Sequence, residues 1–206
     1  MYNRSTILNK EWCDTKKRLT LLLLAALLCL SATACGQAPS LPGEYPMELE
    51  FSSGAGAWRT ILILNADGSF TGRYSDSDMG DAAPDYPNGT LYLSAFSGRF
   101  ELQPADGSAI AALHLTELTC EQEPGTQEIR DGILHVYTGP HGFYNGEELS
   151  PDFVLYPPTT PVSAVSDSLL SWWPGRFEPV TPDTLGSYAL ENPMAGTAFF
   201  SLPQSP

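Results

Sequence analysis

The chain has 206 residues, ten Lys and Arg against 24 Asp and Glu, and a formal charge of −14. That length suits one domain plus tails. Beyond Lys16-Lys17-Arg18 the basic residues are five arginines scattered singly, which argues against nucleic acid as a partner and against electrostatic adhesion to anionic lipid.

The N-terminus divides into three zones. Residues 1–18 are polar and end in Lys16-Lys17-Arg18, residues 19–30 are almost purely apolar, and Ser31-Ala32-Thr33-Ala34 precede Cys35. This order of charged, apolar and small residues is that of a secretory signal. The apolar run of 12 residues is short of the roughly 20 that a spanning helix needs.

The stretch Ala32-Thr33-Ala34-Cys35 resembles the lipobox of bacterial lipoproteins, although that family prefers Leu where Ala32 stands. The resemblance implies cleavage after residue 34, lipidation of Cys35, and a protein held on the outer face of a membrane. It divides the chain into a signal (1–34), a lipidated tether (35–45), one β-rich domain (46–202) and a tail (203–206). Glu11 and Asp14 leave with the signal. The mature chain then carries five arginines, no lysine and 22 acidic residues, a charge of −17. Cys13 and Cys29 leave too, so Cys120 is the one cysteine with a free thiol, and no internal disulfide can form.

The mature chain reads as short strands separated by turns. Met47, Leu49 and Phe51 alternate with polar residues, the period of a half-buried strand. Residues 57–64 and 69–74 flank Asn65-Ala66-Asp67-Gly68 and form a hairpin. Residues 75–90, with two prolines, two glycines and four aspartates, are expected to be an irregular acidic loop. Strands follow at 91–96 and 98–102, or as one strand bent at Ser97-Gly98, with a turn at 103–107. Another strand spans 108–121. Residues 128–130 and 133–138 flank Asp131-Gly132, a tight-turn or bulge signal. Residues 139–151 form a Gly-rich loop and 152–156 a strand. Residues 162–173 are the helix candidate, capped by Ser163 or Ser166 and stopped by Pro174-Gly175. Residues 176–186 read as loop, and 187–190 and 196–202 as closing strands.

This pattern is mainly β and predicts an antiparallel up-and-down barrel or a sandwich with one helix in the C-terminal half. The run Trp58–Gly72, WRTILILNADGSFTG, resembles a hairpin of lipocalin-like barrels. That likeness implies an up-and-down barrel with a small apolar ligand in its mouth, which Phe143, Tyr144 and Tyr86 could line.

Sites for chemistry are sparse. Asp76, Asp78, Asp81 and Asp85 offer oxygen ligands, but no EF-type register holds. Counted from Asp76, the fifth and sixth positions are Gly80 and Asp81, and the twelfth is Pro87. Asp76, Asp78 and Asp81 are therefore weak calcium candidates, and no metal or other cofactor is expected. His114, His135 and His141 lack zinc spacing and read as surface or satisfied structural residues. No G-x-S-x-G elbow occurs, and Cys120 beside Glu121 reads as an inert thiol. Trp172-Trp173 could stack a ligand, but helical spacing favours packing.

The leading expectation is a non-enzymatic anchored protein that binds a small apolar ligand or an envelope protein. The alternatives are an envelope-polymer hydrolase using paired carboxylates and a structural or assembly role. An open apolar barrel would favour the ligand, two carboxylates converging in a cleft the enzyme, and a filled barrel the structural role. Oligomeric state is not legible in the sequence.

Overall fold

The computed structural model describes residue 41 and residues 43–103 and 111–202. The signal, Cys35, most of the tether, the turn at 104–107 and the tail at 203–206 lie outside these. Among the described residues there are twelve strands: β1 (Met47–Ser52), β2 (Trp58–Leu64), β3 (Ser69–Asp78), β4 (Thr90–Gln103), β5 (Ala111–Cys120), β6 (Gln127–Arg130), β7 (Ile133–Tyr137), β8 (Tyr144–Asn145), β9 (Glu148–Leu149), β10 (Asp152–Tyr156), β11 (Ala189–Asn192) and β12 (Thr197–Ser201). An α-helix, α1 (Asp167–Trp172), lies between β10 and β11.

Eight strands close a barrel in the order β1-β2-β3-β4-β5-β10-β11-β12, and β12 returns to β1. Every neighbouring pair is antiparallel. This is the up-and-down barrel expected, not a sandwich. The segment from β6 to β9 is an insertion between β5 and β10.

Period-two alternation decides which residues point inward. Leu49 and Phe51 of β1, Leu62 and Leu64 of β2, Leu113 of β5 and Phe199 of β12 are all buried in one core. On β3 and β4, Phe70 pairs with Gly98 and Gly72 with Phe96. A Cβ on Gly72 would sit 2.2 Å from the Phe96 ring, and one on Gly98 would sit 2.4 Å from the Phe70 ring. Each glycine leaves room for the aromatic ring across from it.

Several elements differ from the sequence reading. β3 runs on to Asp78, so the first residues of the expected acidic loop are strand, and Ala83 and Tyr86 form a further bridge. A long edge of β4 pairs with this extension from Ser75 to Asp78, which outweighs the low β-propensity of Ser and Asp. β4 is a single strand whose irregularity falls against β5 between Arg99 and Phe100, not at Ser97-Gly98. The expected 162–173 helix is broken: Val162–Ala164 is a 3-10 turn, Val165 is extended, and α1 starts after Ser166. Ser166 is the cap, accepting from Leu169 N–H at 2.9 Å.

The residues read as the end of a tether pack on the barrel. Leu41 is buried in the core, and its N–H donates to Ala66 O at 3.1 Å, closing the end where the β2–β3 turn lies.

Candidate functional site

The other end of the barrel is closed by the Gly-rich loop. Phe143, fully buried, enters the interior and meets Phe70, Phe96, Phe100, Phe153 and Phe199 at ring-centroid distances of 5.2–6.5 Å. Polar bonds hold it there. The Thr60 hydroxyl donates to His141 O at 3.0 Å, and the Thr197 hydroxyl to Gly142 O at 2.8 Å. The buried Asn192 amide donates to Ser150 O at 3.3 Å, while its Oδ1 accepts from the Ser150 hydroxyl at 2.5 Å. Gly142 has φ +100°, and a Cβ there would lie 2.7 Å from the Phe199 ring. Only glycine lets the loop pass so close.

This corrects the sequence reading of the mouth. Phe143 does not line an opening; it fills the interior. Within the loop, Tyr144 pairs with Leu149 in the small β8–β9 hairpin and packs half-buried against the core. Tyr86 lies in the turn after β3. An inserted loop aromatic costs a polar backbone its water, and the Asn192, Thr60 and Thr197 bonds replace that water.

His141 sits at the rim of this plug. Its ring stacks on Phe51 at 5.4 Å and meets Trp58 at 4.7 Å and Tyr74 at 5.2 Å. Burial among these rings holds the imidazole below its usual range, against the opposing pull of Asp76. Tyr74 is pushed up to about 12 by burial and then by Asp76, which accepts its hydroxyl at 3.5 Å.

The calcium candidates come near one another but not into a cage. Asp78 Oδ1 accepts from the N–H groups of Gly80 (2.8 Å) and Asp81 (3.2 Å), and Asp81 accepts the Tyr92 hydroxyl at 3.4 Å. Among the described residues, no group of three or more His, Cys, Asp or Glu is placed to hold a metal ion. His114 Nδ1 lies 2.7 Å from Asp152 on the surface. His135 departs from expectation, since its Nδ1 is buried with no hydrogen-bond partner. Cys120 is half-buried, with Sγ 4.0 Å from the Ser94 hydroxyl.

A second core lies outside the barrel. Tyr156, Ala189, Ala198 and Phe200 point outward and are covered by Leu169 of α1 and by Trp173 and Leu185 of the strap that follows it, residues 173–188. Both tryptophans pack: Trp173 donates to Leu185 O at 3.0 Å and Trp172 to Gly196 O at 2.8 Å. Glu191 is also buried here. It accepts the Tyr156 hydroxyl at 3.0 Å and the Ser166 hydroxyl, tying the helix cap to the barrel wall. Beside this core runs a groove of about 970 Å³, bounded by β1, β12 and the strap, with Trp172, Phe177, Val180, Phe200 and Leu202 among its walls. Phe177 and Val180 are 76% and 81% exposed. Its charged lining residues are Glu50 and Glu178. The sequence signal for this site was the Trp172-Trp173 pair and the apolar Phe177 and Val180 in a segment read only as loop.

No protein-family model, curated protein or solved structure is significantly similar to the chain. No helix among the described residues is long and apolar enough to cross a membrane.

Proposed function

We propose that the chain is an exported, non-enzymatic protein, lipidated at Cys35, that binds an envelope partner in its outer groove. One contrast carries this reading. The barrel interior, where a lipocalin-like protein would take a ligand, is occupied by Phe143, while the outer groove leaves Phe177 and Val180 exposed. Apolar side chains left exposed along a groove and rimmed by polar residues support an interaction site there. The occupant we favour is an apolar peptide segment carrying Lys or Arg, because the charges lining the groove are both acidic and the mature chain is anionic.

The anchor follows from the lipobox likeness. A diacylglyceryl group brings two acyl chains, enough for stable attachment, and an anionic chain needs that lipid to stay on an anionic surface. Cys35→Ser is expected to move the protein from the membrane to the soluble fraction. A variant that stayed bound would sink this part of the proposal.

The groove is tested on the detergent-solubilised full chain by intrinsic tryptophan fluorescence, titrating short Leu/Phe peptides flanked by Lys or by Glu. Saturable binding of the Lys-flanked peptides alone, lost in Phe177→Ser/Val180→Ser, is the expected result. No binding of either peptide, or displacement only by a co-purified small molecule, would overturn it.

A further inference from the structure

Closing a barrel removes its sheet edges, and an open edge is a template for another strand. The insertion between β5 and β10 puts such an edge back. β7 joins the wall in parallel beside Thr90–Leu93 of β4, and β6 lies beyond β7 as the terminal strand of the sheet. All four residues of β6 are exposed, Ile129 at 52%.

The turn fixes which backbone groups face outward. Asp131 and Gly132 have φ of 54° and 74°, the double positive φ of a two-residue type I′ hairpin. In that hairpin the flanking pair, Arg130 and Ile133, exchanges both hydrogen bonds, and bonding alternates along the strand. The backbone groups of Arg130 and Glu128 therefore face β7. Those of Ile129 and Gln127 face away from the sheet.

We propose that β6 pairs with β6 of a second copy, antiparallel and two-fold, centred on Ile129. In that register the two Ile129 residues oppose each other and exchange both outward hydrogen bonds. Glu128 of each copy then lies opposite Arg130 of the other. A slip of the pairing by two in either direction sets Glu128 against Glu128 or Arg130 against Arg130, and like charges directly opposite are destabilising. The register is thus chosen by charge. Glu128 and Arg130 already pair at 2.6 Å within one copy, so this edge is locally neutral on a strongly acidic protein. A two-fold interface needs this kind of self-complementarity. The inference is independent of the groove.

Cysteine cross-linking in membranes of the host reads the register directly, on the full chain with Cys120→Ser. Two opposed Ile129 Cα atoms would lie about 5.5 Å apart, within reach of a disulfide. The two Gln127 residues would be offset by four positions, about 13 Å, beyond it. Ile129→Cys is expected to give a dimer on a non-reducing gel, and Gln127→Cys only monomer. Equal cross-linking of both, or none, would overturn the proposal. Charge supplies a second reading. Glu128→Arg and Arg130→Glu should each lose the dimer mass in detergent, and mixing the two variants should restore it as a heterodimer. A mixture that stays monomeric, with far-UV circular dichroism unchanged, would refute the register.

Discussion

The inside and the outside of this barrel are built on different terms. The inner core is aromatic and aliphatic, sealed by Leu41 at one end and Phe143 at the other. The outer core is smaller, holds a buried carboxylate, and borders an open groove. A lumen filled by close-packed side chains has no ready space for a guest, because protein interiors do not easily rearrange.

The sharpest way to break this contrast is Phe143→Ala. Deleting a fully buried aromatic ring is expected to cost about 3–5 kcal/mol, read by chemical denaturation. A cost under 1 kcal/mol would mean the lumen tolerates vacancy and that a ligand in the interior is feasible after all. Glu191→Ala tests the outer core. It leaves the Tyr156 and Ser166 hydroxyls without their acceptor, an expected loss of about 1–3 kcal/mol. Ser166→Ala removes the cap of α1 and should cost about 1 kcal/mol. Phe177→Ser, on the exposed strap, should change stability by no more than about 0.5 kcal/mol while weakening peptide binding in the groove.

Acid should act on the plug. The His141 imidazole is held below its unfolded value, so the unfolded chain binds the extra proton first. The stability that neutral His141 contributes is present above pH about 6.5 and declines as pH falls from there through the lower folded value. His141→Gln should flatten that part of the stability profile. An unchanged profile would place the acid sensitivity elsewhere.

Much of the frame was legible in the sequence. The Asp67-Gly68 and Asp131-Gly132 turns announced their hairpins, because positive φ is cheap there for few residue types. β1 followed from period two, and β10 from a short apolar run ended by Pro157-Pro158. The parts that carry the contrast were hidden for physical reasons. Phe143 looks like any loop aromatic, since nothing local says that Asn192, 49 positions later, will hold the loop in the lumen. Glu191 alternates with Leu190 on β11 and so reads as exposed; only the distant α1 covers it. The helix was overextended because the apolar spacing of Val162 and Val165 continues across the break. The open edge at β6 was invisible because closure depends on which strands pair, not on any one strand's composition.

Barrel closure also sets an order of events in time. β1 completes its pairing with β12, Leu49 opposite Ser201, and Thr60 bonds to His141 across 81 positions. Contacts so remote in sequence form slowly. The lumen cannot seal until β12 is in place to meet β1, and until then the phenylalanines meant for the lumen face water.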